Sequence, residues 1–455
     1  MGNKKKPKSA KEIKAEVLSV FPVPFILAYV FDIVYGFFYY RSFKATSFFD
    51  TGSYFNAALN LMKGRVDLFR TPVYPLFLHL VEKVDKDNIA NICMAVQIAI
   101  FYISIYFFFK TMEQFTSNRV MLTVGTIIYG CMSPVITFNF YVLTESFAIS
   151  GTTLFCYLIV IYAKKHKPGY LAGCIALTLF LAMLRPSMVF LYVVAGIAVI
   201  PLIVRMFRKK QYGMNLVTVI AFVLSVAALF GYMTKNKMDN NYFGLSYVSD
   251  MNRFYDVVQA DIWRDNSNTL IVSDLYNRIE EGNTEALTAA IDSEIYNRDM
   301  ANDPYRIADF NKEAISKHKV EYLKFLIKKI FRMGSYNTAY NLTHDSYYLR
   351  DEANKDIVWI GDFFDFNVNF SYLICLVTWI MAVSVLVERK KLLAGEFMIS
   401  LMIAGQLAVN ILTGPAEFHR LNVICYPLTI LLTFACVGLA LDRIKSSIPE
   451  KTKQN

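Results

Sequence analysis

Two carboxylates and three guanidiniums stand at the ends of apolar stretches, each inside a short polar cluster: Asp50, Arg70-Thr71-Pro72, Thr144-Glu145-Ser146, Arg185-Pro186-Ser187 and His419-Arg420. These are the residue types of a site that handles an anion. A fixed arginine meets a phosphate with paired hydrogen bonds, and a carboxylate partly buried at an interface gains the basicity to take a proton from a hydroxyl. Each position also has a structural reading. Asp50, in Ser47-Phe48-Phe49-Asp50-Thr51-Gly52-Ser53-Tyr54, is either a general base or a helix N-cap. Glu145 either holds an arginine or a metal ion, or profits from the N-terminal dipole of the helix it opens. Arg70, Arg185 and Arg420 either clamp a phosphate or snorkel to lipid headgroups; Pro72 and Pro75 restrict the backbone beyond Arg70. His419 is one of five histidines and neighbours Glu417 and Arg420. With no second histidine nearby, contact with a phosphate or an acceptor suits it better than a metal. Asp32 lies within an apolar run, where an ionisable group is costly unless paired; it is read as a hydrogen bond between helices or a proton or ion site.

The elements that must position these groups are membrane helices. The 455 residues are 55% hydrophobic and 15% aromatic, with mean hydropathy +0.36, too apolar for an ordinary soluble domain. Runs long enough for a hydrocarbon core about 30 Å thick fall at Phe21–Tyr40, Ile92–Phe109, Val120–Phe140, Phe147–Ala163, Tyr170–Leu184, Val189–Val204, Leu216–Thr234, Phe366–Val387, Phe397–Leu412 and Leu421–Leu441. In lipid such runs must be helices, because every backbone amide needs an internal partner. The expectation is an all-α membrane protein of about ten transmembrane helices. Lys4-Lys5-Lys6, Lys110 with Arg119, Lys164-Lys165, Arg208-Lys209-Lys210, Arg389-Lys390-Lys391 and Arg443 with Lys445 fall at alternate span ends. Positive charge is retained inside, so both termini are expected to be cytoplasmic and all five clusters to share the outer face.

The chain divides accordingly into a basic tail (1–20), an N-terminal membrane module (21–234) with a first outer loop (41–91), an extracytoplasmic lobe (235–365), C-terminal membrane helices (366–442) and a second tail (443–455). Thr71–Val81 is too short to span and carries two prolines, which predicts an interfacial or re-entrant helix. The lobe is expected to be largely helical, with a helix at Thr284–Met300. In Val320–Arg332 the apolar Val320, Leu323, Ile327 and Ile330 share one face, the pattern of an amphipathic interfacial helix. The net charge of +10 is explained by the tails and inner loops, so no nucleic-acid partner is expected. No small-residue cleavage site follows the first run, so the first helix is expected to be retained. The seven cysteines lie in or beside apolar runs, so the lobe cannot depend on disulfides, and no Cys/His spacing suits zinc.

Taken in order, these clusters resemble the GT-C superfamily of polytopic glycosyltransferases, in particular the bacterial branch related to protein O-mannosyltransferases and lipid A aminoarabinose transferases. The carriers are Asp50 with Tyr54, Gly64 followed by Arg70-Thr71-Pro72-Val73-Tyr74-Pro75, then Thr144-Glu145-Ser146, Leu184-Arg185-Pro186-Ser187, and Arg420 with Pro427. The resemblance implies a GT-C-like fold and a polyprenyl-phosphate-linked sugar donor. It implies Asp50 as catalytic base in the first outer loop, Arg70, Arg185 and Arg420 as ligands of the donor phosphate, and Tyr54, Tyr74, Glu145 and His419 as supporting or substrate-binding residues. The acceptor would be a lipid, a protein or a wall polymer. Relatives often carry two adjacent acids in the first loop; here Thr51 follows Asp50, which weakens the case for a divalent metal, and no cofactor is expected. Two rival classes stay open: a transporter or flippase, which would place polar groups at mid-membrane and break its helices, and a non-catalytic protein whose lobe binds envelope polymers.

Overall fold

The computed structural model describes residues 25–30, 33, 50–116, 118–279, 303–332, 379, 383, 394–414 and 418–447. Among the described residues the regular structure is helical, with no strand. We number the longer helices α1 (Thr51–Met62), α2 (Val73–Val84), α3 (Ile89–Met112), α4 (Arg119–Gly130), α5 (Glu145–Lys165), α6 (Pro168–Leu184), α7 (Leu191–Lys209), α8 (Met214–Asn240), α9 (Val248–Gln259), α10 (Thr269–Ile279), α11 (Arg306–Lys317), α12 (Lys319–Arg332), α13 (Gly395–Thr413) and α14 (Tyr426–Ser447). Among the described residues six segments are long and apolar enough to cross a bilayer: Ile89–Met112, Glu145–Lys165, Pro186–Lys209, Met214–Asn240, Gly395–Thr413 and Arg420–Gly438. This is an all-α membrane protein.

One of the expected spans is shorter than its hydropathy suggested. The run Val120–Phe140 is not one helix: α4 ends at Gly130 after 12 residues, about 18 Å at 1.5 Å per residue, and a separate turn of helix follows at Ser133–Thr137. Pro134 lies in that turn's first positions, where its missing N–H does no harm, whereas inside a continuous helix it would remove a hydrogen bond and clash. The run Tyr170–Leu184 lies within α6, which has 17 residues and stops at Arg185, held extended at φ −150° because the residue before a proline is pushed out of the helical region. Of the run Phe21–Tyr40 only Phe25–Val30 and Ile33 are described, of Phe366–Val387 only Trp379 and Val383. Asp32 and Thr284–Met300 lie outside the described residues.

The membrane core is built where α5 packs between α3, α6, α13 and α14, around buried Phe101, Phe108, Tyr129, Phe155, Tyr162 and Leu191. Close approach is needed at Gly151 of α5, where a Cβ would meet Leu181 Cδ2 of α6 at 2.6 Å. A second core holds the lobe together: Tyr247, Phe254, Trp263, Ile271 and Phe310 are buried against one another, with Leu68 and Phe69 of the first loop packed onto them. The lobe also grips that loop by hydrogen bonds, from Tyr247 N to Leu68 O at 2.9 Å and from Ser246 Oγ to Phe69 O at 2.6 Å. The loop starts at Gly64, whose φ of +72° is the left-handed conformation that commonly ends a helix. The six described cysteines are buried.

Candidate active site

The five charged residues meet. Arg70 stands just before α2, Asp50 at the start of α1, Glu145 opens α5, Arg185 ends α6, and Arg420 lies in the short helix Phe418–Asn422 between α13 and α14. Five element ends therefore converge at one end of the bundle. Neither carboxylate spends its side chain on a helix cap: Asp50 is the N-cap residue of α1 without a side-chain cap bond. Instead the charges alternate. Arg70 Nη2 donates to Asp50 Oδ1 at 2.6 Å, Arg420 Nη2 to Asp50 Oδ2 at 2.6 Å, Arg420 Nε to Glu145 Oε1 at 2.5 Å, and Arg185 Nη1 lies 2.8 Å from the same oxygen. Three guanidiniums against two carboxylates leave one positive charge.

Burial separates the two acids. Glu145 has no exposed side-chain surface, whereas Asp50 keeps 28%. A buried carboxylate is retained only with partners, so Glu145 acts as the fixed post that holds Arg185 and Arg420. Asp50 stays partly exposed between Arg70 and Arg420. Burial opposes its ionisation, yet the charges and hydrogen bonds of Arg420 and Arg70 together hold its carboxyl well below the usual carboxylate range. In this state Asp50 is a weak base with both oxygens engaged.

Neighbouring groups fix the cations. Arg70 also donates through Nε to Ser53 Oγ at 2.7 Å and through Nη1 to Tyr54 Oη at 3.4 Å, with its guanidinium carbon 4.5 Å from the Tyr54 ring centroid. Arg185 donates to Ser187 Oγ at 3.2 Å and Thr144 Oγ1 at 3.4 Å. Tyr74 is fully buried and donates to Gln97 Oε1 at 3.1 Å, so it reaches the cluster only by packing edge-on against Tyr54, ring centroids 5.0 Å apart. The side chain of His419 lies outside the described residues.

Sequence reasoning passed over the residues that hold the turn before Glu145. Gln97, inside α3, donates to the carbonyls of Phe138, Asn139 and Tyr141 at 2.8 to 3.2 Å, Ser146 Oγ donates to Asn139 Oδ1 at 2.6 Å, and Thr51 Oγ1 donates to Val142 O at 3.1 Å. The available signal was a lone glutamine in an apolar span, which must find a partner. Gln406 and Asn410 of α13 do similar service near Arg420: Asn410 donates to Asn422 Oδ1 at 2.6 Å, and Gln406 to Leu421 O at 3.3 Å. Among the described residues no three His, Cys, Asp or Glu side chains gather as metal ligands. No protein-family model and no curated protein matches this sequence.

Proposed function

We propose that this protein is a membrane glycosyltransferase that moves a sugar from a polyprenyl-phosphate-linked donor to an acceptor hydroxyl on the extracytoplasmic face, in the manner of the GT-C superfamily. The observation that carries this reading is the partly exposed Asp50, shared between Arg70 and Arg420 and backed by the fixed Glu145 and Arg185. A polyprenyl phosphate departs as an anion, so transfer needs positive charge at the leaving group and a base at the acceptor. Both are within one hydrogen bond of each other here.

The pairing also suggests how they are used. A donor phosphate offers Arg70 and Arg420 the same kind of charge-assisted hydrogen bond that Asp50 now supplies to each. As the phosphate takes over those guanidiniums, Asp50 loses the contacts that depress its pKa and regains the basicity of an ordinary carboxylate. The acceptor oxygen then attacks the anomeric carbon, the bond from that carbon to the phosphate oxygen breaks with its electron pair going to the phosphate, and Asp50 takes the hydroxyl proton. The same reading places the donor's isoprenoid tail in lipid and both termini inside.

Transfer to an acceptor by purified protein supplied with polyprenyl-phosphate-linked sugar is the test. Asp50→Asn should lower the rate on the order of 10²–10⁴-fold, the usual contribution of proton transfer by a positioned base, and Asp50→Glu should rescue it poorly because the carboxylate moves. Near-normal turnover by Asp50→Asn would remove the role.

A further inference from the structure

Helix α12 carries a second apolar face that is left exposed among the described residues. Its inner side is accounted for: Tyr322 and Lys329 are buried, and Phe325 and Leu326 pack against the lobe core. Lys329 Nζ lies 2.6 and 2.7 Å from the two carboxylate oxygens of Asp256 on α9, which fixes the helix's rotation. Positions 320, 323, 327 and 330 fall on the opposite side at spacings of three and four. There Val320 is 60%, Leu323 57%, Ile327 45% and Ile330 48% exposed.

Two further observations say what covers this face. The exposed Lys319 borders the apolar stripe on one edge, and the exposed Lys324 and Lys328 border it on the other. An apolar stripe between basic edges is the pattern of a helix lying in the headgroup plane, apolar side down, its ammonium groups beside lipid phosphates. Position agrees: α12 and α9 both pack on the membrane helix α13, and the lobe they belong to grips the loop next to Arg70.

We propose that α12 is a docking helix for an anionic bilayer surface, seating the lobe on lipid beside the charged cluster. The surface is independent of the reaction assigned to that cluster. Leu323 and Ile327 enter the headgroup and acyl boundary, and Lys319, Lys324 and Lys328 meet lipid phosphates. Lys329 takes no part, because it is turned to Asp256.

Tryptophan fluorescence of the full chain in lipid nanodiscs tests this. Leu323→Trp and Ile327→Trp change exposed positions, and Lys312→Trp on the exposed side of α11 is the control; the unsubstituted protein gives the native tryptophan background. In nanodiscs of brominated phosphatidylcholine, the added emission at 323 and 327 should be quenched and that at 312 should not. Adding phosphatidylglycerol should deepen the quenching, and Lys324→Gln with Lys328→Gln should remove that increment. Emission at both positions that is quenched by aqueous acrylamide instead would mean a face open to water. Protection from both quenchers would mean a protein covering, from elsewhere in the chain or from a second copy. Either result overturns the proposal, and quenching indifferent to phosphatidylglycerol overturns its anionic part.

Discussion

Asp50 decides the chemistry because both of its oxygens are taken in the resting cluster. Its carboxyl lies well below the ordinary value of 3.8, the charges and hydrogen bonds of Arg420 and Arg70 outweighing the opposing effect of burial. A depressed carboxylate adds stability that is present above its unfolded pKa and lost as pH falls through the folded one. The protein in detergent should therefore lose stability on acidification below about pH 4, and Asp50→Asn should lose less over that window; equal losses in thermal midpoint would contradict the pairing. The arginines make separable predictions. Arg→Lys at 70 or 420 keeps charge but not the forked geometry, so each should weaken polyprenyl phosphate binding, and each Ala further, by roughly 1.5–3 kcal/mol for one charge-assisted hydrogen bond. Unchanged affinity in the Ala variants would leave these residues as partners of Asp50 and Glu145 alone.

At the scale of elements, Gln97 tests how the site is positioned. Gln97→Leu removes the donor shared by three carbonyls, and a buried polar group left unsatisfied costs about 1–3 kcal/mol. A lower thermal midpoint with weaker phosphate binding is expected; an unaltered midpoint would show that the turn before Glu145 holds itself. In the lobe, burial lifts the Asp256 carboxyl to about 7 and lowers Lys329, each against the pull of the other. Removing one partner leaves a buried charge uncompensated, so Lys329→Met should destabilise by about 3–5 kcal/mol, whereas Asp256→Leu with Lys329→Met should recover most of it. A double variant no better than the single would contradict this. These elements also mark where the sequence was readable. The charged residues at Asp50, Arg70, Glu145, Arg185 and Arg420 stand out because ionisable groups are rare beside apolar runs. Who pairs with whom is not written there: Asp50 and Arg420 are 370 residues apart, and only packing brings five helix ends together. Gln97 and Asn410 were hidden because an amide in a span reads as an interruption of hydropathy, not as a bracket for a distant loop.

At the scale of the whole molecule, hydropathy foretold an all-helical membrane protein, and six helices among the described residues are long enough to span. It overstated α4, since a window average counts the buried turn at Val135–Phe140 as part of a span and does not register the break in the helix after Gly130. Orientation follows from charge alone: substituted cysteines near Lys165 and Lys209 should label only from inside, and those near Asp50 and Lys312 from outside. Asp50 labelling from the same face as Lys165 would end the extracytoplasmic assignment. The exchange of Asp50 for a donor phosphate is tested most directly by calorimetric binding of polyprenyl phosphate to the purified protein and to Asp50→Asn. Removing the carboxylate leaves Arg70 and Arg420 without their present partner, so the variant should bind the phosphate more tightly, on the order of tenfold or about 1.4 kcal/mol, while failing to transfer sugar. Weaker binding by Asp50→Asn, or no binding by either protein, would contradict it.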